Sequence, residues 1–316
     1  MLTQQPFQFI LDSPKFHISP KPVLKWAGGK GQLIEQISNS LPKEIFSGDL
    51  SNYAEPFIGG GALFFHIAQS YPVKNYYISD FNHELILLYR TIQRSVEELI
   101  ACLMEIQTAY YALNPNEQKD YFYKVRACHN GNRISLSKYS PQWIERSAQI
   151  IFLNRTCFNG LYRVNSKGAF NVPFGDYDNP KICDADNLRA ASSVLQNTTV
   201  ESGDFTECEK FVDRKTFVYF DPPYRPISKT ASFKAYSKHV FNDAEQIRLA
   251  EFYRKLNAKG AKLMLSNSDP KNKNPNDNFF DDLYSGFNVQ RVKASRMINS
   301  KASKRGPIYE LLITNY

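Results

Sequence analysis

A glycine-rich turn between a short apolar segment and a helix restricts the possible folds of this chain more than any other feature. Residues 53–70 read YAEPFIGGGALFFHIAQS, so the glycines follow a strand-like start and precede an amphipathic stretch. YYISD at 76–80 is a second strand-like segment, and FNHELILLYRTI after it has helical periodicity. A strand, a turn, a helix and a strand in this order open a doubly wound sheet. The sequence therefore predicts an α/β fold with a Rossmann-like sheet.

The same segment predicts a crevice that binds a nucleoside. Successive glycines at 59–61 allow a ligand to approach the backbone closely, and Asp80 at the end of the next strand can accept both hydroxyls of a ribose. The dinucleotide fingerprint is incomplete, because its third glycine would fall at Phe64. Glu55 in the turn is unfavourable beside a phosphate and favourable beside a cation. The alternatives are a tight turn without a ligand and, for Asp80, a helix N-cap.

A second constellation, Asp221-Pro222-Pro223-Tyr224, follows a buried strand, KTFVYF. Pro222 has no N–H to donate but has a carbonyl acceptor, which lies beside the carboxylate of Asp221. Two acceptors can hold both protons of one NH₂ group and so make the nitrogen lone pair nucleophilic. Tyr224 offers a flat face on which a base can stack. A strand-ending turn without chemistry is the alternative for this motif alone.

The pattern changes between these two constellations, which indicates an insertion. VEELIACLMEI has apolar residues at helical spacing, and 153–175, LNRTCFNGLYRVNSKGAFNVPFG, has Asn-Gly and Lys-Gly turns typical of a β-hairpin or looped platform. The α/β pattern then returns, and FNVQRVKA with IYELLITNY predicts a terminal antiparallel hairpin. We therefore expect a catalytic domain formed by 1–95 and 196–316, and an inserted, mostly helical domain at 96–195 that carries the β-hairpin.

The composition of the chain restricts which binding partners and which kinds of site are expected. Lys and Arg total 39 against 31 Asp and Glu, a formal charge of +8 that suits a polyanion, although many soluble proteins are mildly basic. The five cysteines form no CxxC pair, so the sequence predicts neither a zinc site nor a disulfide framework. The N-terminal residues show no signal-peptide pattern, and the apolar runs are too short to span a bilayer. We expect a cytoplasmic protein with reduced thiols.

Blocks in the chain resemble, in order, the motifs of Dam-type adenine-N6 DNA methyltransferases. The blocks are KWAGGK at 25–30, AEPFIGGGALFF at 54–65, Asp80, SGDF at 202–205 and DPPY at 221–224. The segment 153–175 is similar to the target-recognition hairpin of that family, and the resemblance covers about 25–316. It implies a methyltransferase sheet and transfer of a methyl group from S-adenosylmethionine to adenine N6 in double-stranded DNA. It also implies recognition of GATC, with the target base flipped out of the duplex.

The resemblance also implies which residues bind the cofactor and activate the target. Asp204 and Phe205 would receive the adenine ring of S-adenosylmethionine, and Asp80 its ribose. The implied cofactor residues are Trp26, Ala27, Gly28, Lys30, Glu55, Pro56, Phe57, Gly59, Gly60, Gly61, Asp80, Asp204, Phe205 and Asp221. The implied catalytic residues, which activate the amine and stack on the flipped base, are Asp221, Pro222, Pro223 and Tyr224.

The hairpin and one residue beside the cofactor loop would bind DNA. By position in the family motif, Arg163 and Lys25 would each read a guanine edge. Phe158 would wedge into the duplex and Asn159 would contact a phosphate, whereas Leu161 and Pro173 would lie against a thymine methyl group. The implied DNA contacts are Lys25, Phe158, Asn159, Leu161, Arg163, Asn165 and Pro173.

Direct transfer from sulfur to nitrogen needs no metal, no covalent intermediate and no catalytic cysteine, so we expect a metal-independent enzyme. We also expect a monomer that associates with the nucleoid through its binding to DNA. Three alternatives remain open. The first is an amino-methyltransferase that acts on RNA or a protein amide, because the same acceptor pair activates those nitrogens. The second is a DNA-binding regulator on an inactive methyltransferase scaffold. The third is a nuclease, for which Asp204 with Asp213 is a faint match to the required carboxylate cluster.

Overall fold

A twisted sheet is the centre of the structure, a computed structural model that describes residues 18–26, 28–131, 134–135, 137–225, 241–294 and 308–316. Within these residues the sheet has seven strands in the order β3-β2-β1-β4-β5-β7-β6. The first five are parallel, and β7 is antiparallel to both β5 and β6. The strands are β1 (Asn52–Glu55), β2 (Asn75–Asp80), β3 (Thr198–Ser202), β4 (Thr216–Phe220), β5 (Lys262–Ser268), β6 (Asn288–Ala294) and β7 (Ile308–Thr314).

Helices cover the sheet and fill the segment between β2 and β3. In the described part of the chain the α-helices are α1 (Ile34–Asn39), α2 (Glu44–Ser47), α3 (Ala62–Ser70), α4 (His83–Arg94), α5 (Val96–Tyr111), α6 (Pro115–Gly131), α7 (Gln142–Thr156), α8 (Ala185–Leu195), α9 (Asp243–Ala258) and α10 (Phe279–Leu283). Short 3₁₀ turns lie at Lys30–Gln32, Phe158–Gly160, Phe205–Lys210 and Pro270–Asn272. No helix in these ranges is long and apolar enough to cross a membrane.

The local sequence explains the central strands and the helix starts. All five residues of β4 are buried, as a parallel strand covered on both faces requires. α4 begins after Asn82, whose side chain accepts from the backbone N–H of Glu84 and Leu85. α9 begins after Asn242, whose side chain accepts from the backbone N–H of Glu245. The predicted α/β fold with a terminal antiparallel pair is confirmed.

The inserted helices share a hydrophobic core with one face of the sheet. Leu99, Phe122 and Phe152 belong to the same buried cluster as Tyr53 and Phe64. Helix α7 packs against α4, α5 and α6, and it is buried on most of its circumference. The division of the chain at 95 and 196 stays a prediction.

The predicted hairpin at 153–175 is a looped platform with little strand pairing. Its first four residues form the last turn of α7, and the rest is held by two isolated antiparallel bridges, Cys157 with Phe174 and Val164 with Phe170. The chain turns where Gly160 has φ +62° and Gly168 has φ +78°. Residues 1–17 of the predicted segment 1–95 lie outside the described residues.

A buried arginine fastens the inserted helices to the sheet domain. Arg146 on α7 is 4% exposed, and its Nε and Nη2 lie 2.8 and 2.5 Å from the two carboxylate oxygens of Glu84 on α4. Its Nη1 donates to the carbonyl of His129 on α6. One guanidinium therefore ties three helices together.

Removing this guanidinium should destabilise the fold strongly. Arg146→Ala leaves Glu84 without its partner in a partly buried place, and we expect a loss of about 3 kcal/mol in the free energy of unfolding. Arg189→Ala is the control, because Arg189 makes an ion pair of the same two-pronged geometry with Glu97 at the surface. Denaturant unfolding monitored by circular dichroism measures both. Equal losses for the two variants would contradict the role given to burial.

Candidate active site

A cleft of about 1660 Å³ opens at the carboxyl ends of β1, β2 and β4. β1 and β4 are neighbours whose connections run in opposite directions along the sheet, and ligands bind at such a switch point in open α/β sheets. The cleft continues from the sheet edge to the inserted helices, where His129 and Arg146 line it.

The structure brings together the predicted cofactor and catalytic residues that it describes. Ala27 lies outside the described residues. All the others line the cleft: Trp26, Gly28, Lys30, Glu55, Pro56, Phe57, Gly59, Gly60, Gly61, Asp80, Asp204, Phe205, Asp221, Pro222, Pro223 and Tyr224.

The glycine turn after β1 is held against an indole ring. A Cβ on Gly60 would lie 3.0 Å from Cβ of Trp26, and one on Gly59 would lie 3.1 Å from Cδ1 of the same side chain. Trp26 in turn stacks on Tyr162, with ring centroids 5.2 Å apart and planes inclined by 20°. Glycine at these two positions therefore makes room for the Trp26 side chain as well as for a ligand.

Asp80 organises the turn rather than the following helix. Its Oδ2 accepts from the N–H of Gly59 at 3.1 Å, and its Oδ1 accepts from the N–H of Asn82 at 2.8 Å. Because Asn82 caps α4, the alternative of Asp80 as the cap of that helix is excluded. Burial raises the pKa of Asp80, and the backbone N–H donors oppose that rise.

One lysine faces two buried carboxyl groups in the cleft. Lys30 is 7% exposed, and its Nζ lies 2.7 Å from Oδ1 of Asp221 and 3.0 Å from the carbonyl of Gly28. Glu55 is 3% exposed, and its Oε2 accepts from the hydroxyl of Tyr53 at 2.7 Å. Burial raises the pKa of Glu55 well above its usual value, and the negative charge of Asp221 adds to this rise. Two carboxyl groups and one ammonium group therefore lie in this part of the cleft, and a cation bound beside them would favour the ionised form of Glu55.

Asp221 presents one carboxylate oxygen to the protein and the other to the cleft. Oδ1 accepts from Ser266 Oγ at 3.0 Å and pairs with Lys30. Burial raises the pKa of Asp221, whereas Lys30 and Ser266 lower it. Within the described residues, no donor bonds Oδ2 of Asp221 or the carbonyl of Pro222. The predicted pair of acceptors is therefore available to an amine.

Tyr224 is fixed at the far end of the motif. Its hydroxyl donates to Oε2 of Glu310 on β7, and Nζ of Lys30 lies 4.5 Å from the centre of its ring. The carbonyl of Pro223 accepts from Nε2 of Gln246 on α9 at 3.2 Å. Neighbouring strands and a helix thus hold the turn after β4 in one conformation.

Arg248 on α9 contacts both of the predicted adenine-binding residues, Asp204 and Phe205. Its guanidinium bonds both carboxylate oxygens of Asp204, at 2.9 and 2.6 Å, and lies 4.1 Å from the centre of the Phe205 ring. The arginine lowers the pKa of Asp204 to about 2. Sequence reasoning missed Arg248. The one indication in the sequence is its position three residues after Glu245, with which it also makes an ion pair.

The predicted DNA contacts lie on the looped platform and beside the cofactor turn. Phe158 is 53% exposed and Leu161 36%, so both side chains are accessible to a partner. Arg163 Nε donates to Oδ1 of Asn171 at 2.8 Å, and Asn165 Oδ1 accepts from the backbone of the tight turn after it. The other platform residues are Asn159, with φ +59°, and Pro173, whose carbonyl accepts from the N–H of Phe158.

A buried amide that sequence reasoning missed joins Lys25 to the platform. Asn154, on the last turn of α7, accepts from the N–H of Lys25 at 2.9 Å. Its Nδ2 donates to the carbonyls of Lys25 and Gly160, at 3.0 and 2.9 Å. One side chain thus joins the backbone of Lys25 to the platform at Gly160.

The cysteines and acids form no recognisable metal centre. Across the described ranges, no group of three or more His, Cys, Asp or Glu side chains is arranged to hold a metal ion.

Comparison with known proteins identifies a family and full-length relatives. The family described as D12 class N6 adenine-specific DNA methyltransferase matches residues 26–298. The type II methyltransferase M.MjaIII of Methanocaldococcus jannaschii is 50% identical over 94% of this chain and 99% of its own length. The type II methyltransferase M1.LlaDCHI of Lactococcus lactis subsp. cremoris is 40% identical over 96% and 98%. The DNA adenine methylase of Haemophilus influenzae is 32% identical over 95% of each chain.

The glycine at the end of the turn provides a test of the site geometry. Gly61 has φ +71°, and a Cβ there would lie 2.7 Å from the hydroxyl of Tyr89, which donates to the carbonyl of Gly59. Gly286 is the control, because it has φ +92° but nothing within 4 Å of a Cβ. Gly61→Ala should lower the free energy of unfolding by about 1 kcal/mol more than Gly286→Ala, the value of the hydrogen bond it displaces.

Thermal unfolding of the two alanine variants, each in the wild-type and Tyr89→Phe backgrounds, measures this difference. The difference should shrink in the Tyr89→Phe background, where the hydroxyl is already absent. A difference that persists there would show that the hydroxyl is not the group that excludes a side chain at Gly61.

Proposed function

Since the chain belongs to the D12 class N6 adenine-specific DNA methyltransferases, we propose that it methylates adenine N6 within GATC in double-stranded DNA. The resemblance indicated by the order of the sequence motifs is confirmed by this membership. The observation that carries the proposal is the pair of acceptors at the cleft, Oδ2 of Asp221 and the carbonyl of Pro222, beside a lysine that holds the other oxygen of Asp221.

The family implies S-adenosylmethionine as the methyl donor. When bound, this molecule supplies an electrophilic methyl group on a positively charged sulfur. The cleft suits it, because the two carboxyl groups there would stabilise a cation and a backbone turn with little side-chain bulk lies beside them. Trp26, Gly28, Lys30, the 55–61 turn and Asp80 would hold it.

The adenine ring of the donor would lie at the end of the cleft formed by Asp204 and Phe205. Arg248 joins that subsite, because its guanidinium already covers the Phe205 ring and both oxygens of Asp204. Phe57 and Phe241 pack around the same ring and complete an apolar wall.

The residues after β4 would activate the target amine. Oδ2 of Asp221 and the carbonyl of Pro222 would accept its two protons, which directs the nitrogen lone pair away from the ring system. The methyl carbon would bond to N6 as its bond to sulfur breaks, so the donor would leave as a neutral thioether. Oδ2 of Asp221 would accept the proton that the nitrogen then loses. Tyr224 would stack on the adenine after it leaves the duplex.

The looped platform and Lys25 would read the DNA sequence. We propose that Arg163 and Lys25 contact guanine edges, that Phe158 enters the duplex and that Asn159 meets a phosphate. Exposure of Phe158 and Leu161 on the platform supports this assignment, as does the attachment of Lys25 to the same platform. The segment 96–195 as a whole would be the target-recognition domain, with Leu161, Asn165 and Pro173 among its contacts.

Methyl transfer to a set of defined duplexes tests the proposal. The set carries GATC and every single-base substitution of it, and product nucleosides are identified by mass spectrometry with and without a metal chelator. We expect N6-methyladenine in the GATC duplex under both conditions. Methylation of cytosine, or transfer to RNA or a glutamine peptide but not to DNA, would contradict it. Methylation of adenine in another sequence would leave the chemistry and overturn only the specificity.

Substitution at Asp221 and at Asp80 should separate activation from cofactor binding. Asp221→Ala removes one acceptor of the target amine, so we expect kcat to fall at least ~10²-fold with a modest effect on cofactor affinity. Asp80→Ala removes a ribose contact made equally before and during transfer, so it should raise the cofactor KM with less effect on kcat. Steady-state kinetics and calorimetry measure both. An equal collapse of kcat and affinity in Asp221→Ala, with the fold intact, would show that its main role is misassigned.

Substitution on the platform should separate reading of bases from contact with phosphates. Arg163→Ala should relax the preference at one outer base pair of GATC, because a bidentate arginine discriminates between bases by ~1–3 kcal/mol. Lys25→Ala should act at the opposite end of the site. Lys167→Ala is the comparison, and it should weaken all duplexes alike and reduce the salt dependence. A uniform loss over all duplexes for Arg163→Ala would make Arg163 a phosphate contact.

A further inference from the structure

A buried serine behind the acceptor pair has no role in the chemistry described so far. Ser266 lies on β5, is fully buried, and places its hydroxyl 3.0 Å from Oδ1 of Asp221 and 2.8 Å from the hydroxyl of Tyr219 on β4. It is the link between the carboxylate and the interior of the sheet.

The direction of these two hydrogen bonds follows from the number of protons. A serine hydroxyl has one proton, and an ionised carboxylate can only accept. Ser266 therefore donates to Asp221, and Tyr219 must donate to Ser266. The chain of donors runs from Tyr219 through Ser266 and ends on Oδ1.

Lys30 and Ser266 converge on the same oxygen. Nζ of Lys30 lies 2.7 Å from Oδ1 of Asp221, so this oxygen receives two donors from opposite parts of the sequence. Among the described residues nothing bonds Oδ2. A carboxylate held by one donor could rotate and exchange its oxygens, whereas a second donor on a β-strand fixes which oxygen faces the cleft.

We propose that Ser266 is a positioning residue for methyl transfer, which holds Oδ1 of Asp221 and so leaves Oδ2 aligned with the target amine. This inference rests on the proposed function. It assigns Ser266 no contact with the cofactor or the DNA. Its loss should therefore affect turnover and leave binding intact.

Kinetics of Ser266→Ala, measured on the duplex that the wild type methylates best, test the proposal. We expect kcat to fall ~10- to 100-fold, the value of a hydrogen bond to a charged group, with the KM values for S-adenosylmethionine and duplex nearly unchanged. Ser266→Thr keeps the hydroxyl and should recover most of the turnover. Calorimetric titration of S-adenosylmethionine should give the same affinity for all three proteins.

Two further variants separate positioning from stability. Ser266→Ala leaves the Tyr219 hydroxyl without its acceptor, so the double variant Ser266→Ala/Tyr219→Phe should regain unfolding free energy but not kcat. Tyr219→Phe alone should keep kcat near the wild-type value, because Ser266 can still donate to Asp221. Ser147→Ala is the control for loss of a buried hydroxyl, since Ser147 bonds Thr91 within the helices. It should lose stability and keep kcat.

Each outcome of these measurements either supports or contradicts the positioning role of Ser266. An unchanged kcat in Ser266→Ala, or a kcat that returns together with stability in the double variant, would overturn the positioning role. A wild type that methylates adenine in no duplex would overturn the proposed function, and this inference with it. Turnover that falls in Ser266→Ala, stays low in the double variant and returns in Ser266→Thr supports the assignment.

Discussion

The whole site depends on one property of the sheet, the reversal of direction between β1 and β4. From β1 the chain moves outward through β2 to β3, and it returns to place β4 on the other side of β1. The connections diverge there, so the carboxyl ends of these two strands stay open and the cleft forms between them. Glu55 after β1 and Asp221 after β4 come to face a single lysine although they are far apart in the sequence.

The insertion is attached to this sheet by polar groups as well as by its core. Arg146 joins three helices through Glu84 and the carbonyl of His129, and Asn154 bonds both polar groups of the Lys25 backbone. Buried polar groups with complete hydrogen bonding are directional, so they fix distances that apolar packing leaves adjustable. The spacing between the platform and the turn that holds Trp26 is therefore set by a few named bonds.

Much of the fold could be predicted because its signals are local. The apolar run of β4, the glycine turn after β1 and the Asn242 cap of α9 each depend on residues adjacent in sequence. The extent of strand pairing in the segment 153–175 was harder to predict, again because of local interactions. The residues LNRT continue α7, and the hydroxyl of Thr156 donates to the carbonyl of Phe152 within that helix. Beyond the helix, the described residues of this segment form only two isolated bridges.

Only those site residues that belong to recognisable motifs could be predicted from the sequence. Asp221 and Asp80 stand out in the sequence, but Ser266 lies in a strand of mixed composition, KLMLSNS, and Arg248 on an ordinary polar helix. Nothing next to them in the chain marks them. Their importance comes from what the fold places opposite them, Asp221 for the serine and Asp204 with Phe205 for the arginine.

The charge balance of the cleft has a consequence for the donor that we propose. Two carboxyl groups and one ammonium group lie together there, so a cation beside them would favour ionisation of Glu55. On the proposed function, methyl transfer would convert the sulfonium of S-adenosylmethionine into a neutral thioether, and this attraction would be lost in the same event. Such a site would distinguish fresh donor from spent donor by one unit of charge, because both have the same adenosine and amino-acid ends. Exchange of the spent molecule for a fresh one would thereby be favoured.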